Sequence, residues 1–201
     1  MKSVKSMLAL VALLLASAAA NAQQLRLGEA AYGGNGCPAG SASVSTTADG
    51  KTMSVLFDSF AAEAGDVTGR RIDRKSCNIR IPIQVPNGYS VALIGVDYRG
   101  FNAIPGNGAY NTFRAEYFYA GSRGPVFQQQ FRGPQADAFS IRNNLIATNL
   151  IWSECSKDVI FSINAAATAM SNSRMEQTMM IVDSVDVQAG MLYHFQFRRC
   201  R

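Results

Sequence analysis

The chain has 201 residues, with 19 Lys and Arg against 14 Asp and Glu, one histidine and four cysteines. One histidine is too few for a zinc site, and no acidic triplet with the spacing of a calcium loop is present, so no metal or other cofactor is expected. The modest basic excess is scattered rather than gathered with aromatics on one face, which speaks against a nucleic-acid partner.

The N-terminus is read first. Lys2 and Lys5 precede an uncharged run, 7–20, dominated by Leu, Ala and Val, and the run ends in Ala20-Asn21-Ala22. This is the positive, apolar and small-x-small order of a secretory signal, with Gln23 as the new N-terminus. The run is shorter and richer in alanine than a spanning helix, which needs roughly 20 apolar residues. No other stretch is long and apolar enough to span a bilayer. Residues 1–22 are therefore expected to be removed, and 23–201 to be a single exported domain: extracellular, periplasmic or held at the cell surface. Arg70, Arg71, Arg74 and Lys75, beside Asp66 and Asp73, are expected to form a solvated loop.

Cys37, Cys77, Cys155 and Cys200 are widely separated, unlike the close pairs of zinc sites. An even number in an exported chain predicts a disulfide framework. Of the three possible pairings, Cys37 with Cys77 and Cys155 with Cys200 is the expected one, each stapling one half of the chain.

Strand signals follow in chain order. Ala48-Asp49-Gly50 joins 42–47 to 52–57 as a tight hairpin. In 77–85 every odd position is apolar, while Asn78, Arg80, Pro82 and Gln84 lie between, so one face is buried. Pro82 lacks the N–H of a ladder and predicts an edge or a bulge. Pro86-Asn87-Gly88 reads as a turn into 89–98 as the partner strand. Further strands are predicted at 112–119, 126–131, 145–152, 159–165, 178–183 and 191–198. The turns between them include Gly121-Ser122-Arg123-Gly124-Pro125, Arg132-Gly133-Pro134 and Ala189-Gly190. Only 61–64 and 165–170 have the alanine content of a short helical turn. The class is all-β: a β-sandwich or jelly-roll of antiparallel sheets.

Catalytic signatures are missing. There is no G-x-S-x-G elbow, H-E-x-x-H helix or phosphate-binding glycine loop. His194 falls on the polar side of 191–197, a solvent-facing strand position. Asp58, Asp97, Glu116, Asp183 and Asp186 sit in or beside strands, and a carboxylate-dependent, glycosidase-like hydrolase would need two of them to converge. Asp97-Tyr98-Arg99 sets an acid, an aromatic and a cation together before the glycine-rich 105–108, a combination suited to sugar or peptide recognition. These three are the candidate ligand-binding residues. A structural alternative has Asp97 pairing with Arg99 while Tyr98 packs inward.

A set of motifs adds a resemblance. In order they are Gly36-Cys37-Pro38-Ala39-Gly40, Phe57-Asp58-Ser59-Phe60, Cys77 opening a strand, Val85-Pro86-Asn87-Gly88-Tyr89, Val96-Asp97-Tyr98-Arg99-Gly100, Trp152-Ser153-Glu154-Cys155 and Cys200. Together they resemble the family called domain of unknown function 4360, small secreted proteins of fungi and bacteria. The resemblance implies secretion, four framework cysteines and a β-rich fold, and brings no activity or catalytic residue. The methionine-rich 175–180 and the terminal Arg201 depart from the pattern without disturbing it. The expected function is a secreted, non-catalytic binding or surface-associated module for cell-wall polysaccharide or another extracellular protein. The alternatives are the hydrolase or a purely structural envelope or matrix protein, and the sequence gives no oligomeric state.

Overall fold

The computed structural model describes residues 24–48, 50–145, 150–182 and 190–200. The expected leader, Asp49 of the first hairpin, Asp183, Asp186 and Ala189 lie outside them.

The strands described are β1 (Arg26–Leu27), β2 (Ala31–Gly33), β3 (Ala42–Thr46), β4 (Thr52–Phe57), β5 (Ala61–Ala64), β6 (Ile72–Gln84), β7 (Tyr89–Ile104), β8 (Tyr110–Tyr119), β9 (Val126–Arg132), β10 (Gln135–Asn144), β11 (Val159–Met170), β12 (Thr178–Ile181) and β13 (Met191–Arg199). They form two antiparallel sheets. The first runs β1-β6-β11-β8-β9, with β2 also on β6; the second runs β3-β4-β13-β7-β12-β5, with β10 also on β7. The fold is an all-β sandwich.

Alternation dictates which face each strand buries. Cys77, Ile79, Ile81, Ile83 and Val85 are all buried, and the residues between them on β6 are exposed. Phe161 of β11 meets Tyr193 and Phe195 of β13 edge-on, at 5.8 and 5.3 Å between ring centroids. Aromatic contacts of this kind add to the area they bury. Pro82 sits where its missing N–H does least harm. Its carbonyl accepts from the Gly28 backbone N–H at 2.8 Å, so its nitrogen faces the gap between the short strands β1 and β2. Gly28 lies against the proline ring, where an added Cβ would come within 2.9 Å of Pro82 Cβ.

Both disulfides pair as expected, Cys37–Cys77 and Cys155–Cys200, closing 40 and 45 positions. The chain-entropy account gives about 4 kcal/mol for each loop of that size, an upper figure.

Several expectations are corrected. β6 and β7 are not hairpin partners: β6 pairs with β11, and β7 pairs with β13, β10 and β12. The turn at Pro86-Asn87-Gly88, with Gly88 at φ +79, carries the chain from one sheet to the other. Each strand has a full apolar face, and facing layers bury both at once. Residues 61–64 and 165–170 are strand, not helix. Ala62 and Ala64 of β5 and Ala165, Ala167 and Ala169 of β11 are buried where the two strands face each other across the core. Small side chains let the sheets approach there, and ladder pairing on both sides of β11 outweighs alanine's helical preference. The polar strand β10 lies just before the predicted 145–152, of which 146–149 lie outside the described residues. Trp152 joins the sheet through an isolated bridge to Ala92 rather than as part of a strand. The basic cluster at 70–75 is a salt-bridged strand entrance rather than a loop. Asp73 meets Arg70 and Lys75, each at 3.5 Å, and accepts the Glu63 backbone N–H.

Candidate functional site

A bulge determines where the sequence's own candidates point. β13 pairs His194 with Gly95 but Phe195 with Leu93, leaving Ile94 as the extra residue of β7. The bulge shifts the alternation by one position, so Val91 and Leu93 face inward before it, and Val96 and Tyr98 after it. Asp97 and Arg99 consequently face outward. Tyr98 is 0 % exposed, stacked on Phe127 and edge-on to Phe113, both at 4.9 Å. The stacking surface expected of Tyr98 is thus enclosed in the core.

Asp97 pairs with neighbours other than Arg99. Its carboxylate meets His194 Nε2 at 2.7 Å and Arg142 Nε at 3.5 Å. His194 Nδ1 lies 3.2 Å from Thr52 Oγ1. The result is a polar row across β4, β13, β7 and β10 on the outer face of the second sheet. His194 is on that outer face, as expected, but half-buried in this row rather than free in solvent. Thr, His and Asp in contact invite comparison with a nucleophilic triad. Thr52 is 6 % exposed, however, and the backbone of β4, β13 and β7 around the row is paired in the sheet ladder.

Nor do the described carboxylates converge. Glu116 lies on the outer face of the first sheet, 3.8 Å from Arg114, so it points away from Asp97 with the whole sandwich between them. Asp58 is exposed beyond the end of β4. Among the described residues, no three or more His, Cys, Asp or Glu side chains group as metal ligands do.

A site the sequence did not reveal occupies the outer face of the first sheet. Cross-strand register places Asn78 of β6 beside Asn164 of β11, and Arg80 beside Ser162, which in turn lies beside Phe118 of β8. Tyr32 of the edge strand β2, Ile160 of β11 and Gly121 help bound a concave trough of ≈ 770 Å³. Burial raises the Tyr32 phenol above its ordinary value, so it presents a neutral hydroxyl. The side chains of Asn78, Arg80, Ser162 and Asn164 form no hydrogen bond or ion pair with any described residue. Two planar amides and a guanidinium therefore present donors and acceptors beside Phe118 and the Tyr32 rim, with the Ser162 hydroxyl buried beneath them. The outward positions of 77–85 were legible as polar in the sequence. Their alignment with β11 and β8 was not, because both partners lie far along the chain.

No helix among the described residues is long and apolar enough to cross a membrane. A structural relative is TmCBM61, solved in complex with β-1,4-galactotriose. It is 10 % identical, with 85 % of this chain and 88 % of that one covered, at a TM-score of 0.31, too slight a likeness to bear on function. A sequence relative is an "Uncharacterized secreted protein" of Arthroderma benhamiae, 25 % identical over 170 residues, which cover 84 % of this chain and 69 % of the relative. The profile of the family described as "Domain of unknown function (DUF4360)" matches residues 23–200, which span all the described residues, and the chain belongs to that family.

Proposed function

We propose that this protein is an exported, non-catalytic binding module that holds a hydroxyl-rich extracellular glycan in the trough of its first sheet. Export is supported by two disulfides that leave no free cysteine, by the leader-like 1–22 and by the secreted relative. The observation that carries the glycan assignment is the set of three accessible polar side chains, Asn78, Arg80 and Asn164, that have no hydrogen-bond or ion-pair partner among the described residues and lie with the buried Ser162 beside Phe118. A sugar ring offers an apolar face for an aromatic and adjacent hydroxyls for planar amides and guanidinium, and the trough's size suits a few sugar units. Arg114 and Glu116 extend the same face toward β9 and give a longer chain further polar contacts.

The test is co-sedimentation with insoluble cell-wall polysaccharides and titration with neutral oligosaccharides, using wild type, Phe118→Ala, Asn164→Ala and Asp97→Ala. Loss of one stacking or hydrogen-bonding contact weakens affinity about tenfold, equivalent to about 1.4 kcal/mol. The two trough variants are expected to weaken binding by that factor, with Asp97→Ala close to wild type. Wild type binding no glycan, or binding lost only in Asp97→Ala, overturns the assignment.

A further inference from the structure

A second concave feature lies beside the Cys155–Cys200 disulfide: a hollow of ≈ 600 Å³ lined by Ser90, Ser153, Cys155, Arg198, Arg199 and Cys200. Its two arginines are exposed yet held in place. Arg198 Cζ lies 4.0 Å from the centre of the Trp152 ring. Trp152 is itself fixed by its bridge to Ala92, by the Ser153 N–H donating to the Val91 carbonyl at 2.9 Å, and by the disulfide three residues on. Arg199 donates its Nε–H to Tyr89 Oη at 3.2 Å. A guanidinium whose face rests on a ring keeps its in-plane N–H groups available, and one that spends Nε keeps its terminal nitrogens.

Among the described residues, no carboxylate lies within salt-bridge distance of either arginine. The acid nearest in sequence to Trp152, Glu154, pairs with Lys157 at 2.6 Å. Both guanidinium groups line the hollow without an acidic partner among the described residues, so an anion seated there meets uncompensated positive charge. Arg presents paired donors that match the two oxygens of a carboxylate.

We propose that the Arg198–Arg199 hollow is a binding site for the oxyanion groups of an acidic extracellular polysaccharide. It is separate from the trough, being built from β7, β13 and the 152–155 segment, and stands whether or not the trough binds a neutral glycan. The carboxylates of a uronate chain and the sulfates of a sulfated one share this chemistry. The carboxylate is favoured because its two oxygens fit a guanidinium edge.

The test is titration calorimetry with polygalacturonate, dextran sulfate and neutral dextran at low and at physiological salt. The proteins are wild type, Arg198→Gln/Arg199→Gln, Arg198→Lys and the trough variant Asn164→Ala. The double glutamine variant is expected to lose at least tenfold in affinity for polygalacturonate and to show a shallower salt dependence. Arg198→Lys, which keeps charge but not the planar fork, is expected to lose severalfold, and Asn164→Ala to bind uronate like wild type. Dextran sulfate bound with the same arginine dependence supports an oxyanion site of broader range; polygalacturonate bound alone supports a carboxylate site. Wild type binding polygalacturonate no better than dextran, or the double variant binding it like wild type, overturns the proposal. Loss in Asn164→Ala with none in the double variant moves acid binding to the trough and also overturns it.

Discussion

Truncating Phe161 tests how the two sheets are held together. Its ring is 1 % exposed and meets Tyr119 at 5.8 Å within its own sheet, and Tyr193 and Phe195 across the core. Replacing a buried Phe by Ala costs about 3–5 kcal/mol from lost transfer energy and the cavity left behind. Three ring contacts, worth about 0.5–1.5 kcal/mol each beyond area, place Phe161→Ala near the top of that range. With net stability of about 5–15 kcal/mol, the substitution removes a third or more of it. Phe161→Leu keeps most of the apolar volume and gives up the three ring contacts, a loss of about 1.5–3 kcal/mol. Urea unfolding with disulfides intact, followed by the fluorescence of Trp152, the sole tryptophan, provides the assay. For a slope of about 2 kcal/mol/M, the midpoint falls by about 2.5 M in Phe161→Ala and by about 1 M in Phe161→Leu. Equal midpoints for the two variants would refute the ring-contact account, and an unmoved midpoint in Phe161→Ala would refute the inter-sheet tie itself.

Two further outcomes are expected. Burial pushes the Tyr117 phenol up to about 12, and Tyr98 and Tyr193 well above the ordinary 10.0, also through burial. The folded state holds these protons more tightly than the unfolded chain, so their contribution is complete below pH 10 and is lost as pH rises toward 12 and beyond. The urea midpoint should therefore drop above pH 10, with tyrosinate absorbance rising as the chain unfolds; full tyrosine ionisation near pH 10 in a folded protein would contradict this. Cys37 and Cys77 are fully buried whereas Cys155 is exposed, so mild reductant followed by alkylation and peptide mapping should label Cys155 and Cys200 first. Early labelling at Cys37 would show that access does not govern reduction here.

Residue pattern alone carried the class. The alternation in 77–85 survives position by position as the buried and exposed faces of β6, because a strand's two faces are set by backbone geometry. The disulfide pairing was also legible, since each bridge closes a stretch within one half of the chain. Alanine-rich 165–170 misled because helical preference is local, whereas its strand state comes from partners at 72–77 and 110–115. β10 escaped notice because, as an edge strand, it turns only Gln135, Phe139, Ile141 and Asn143 partly inward, two of them polar.

The candidate sites divide in the same way. Asp97, Tyr98 and Arg99 were visible as a composition, but an extra residue at Ile94 sets which of them face solvent, and His194 and Arg142 reach Asp97 only through sheet pairing. The trough joins residues 32, 78–80, 118–121 and 160–164, and the hollow joins 90, 153–155 and 198–200. Local sequence determined that this chain forms two-faced strands with cysteine staples. Only the tertiary structure decided which polar faces line up and stay unpaired, because register across a sheet depends on the burial of every strand at once.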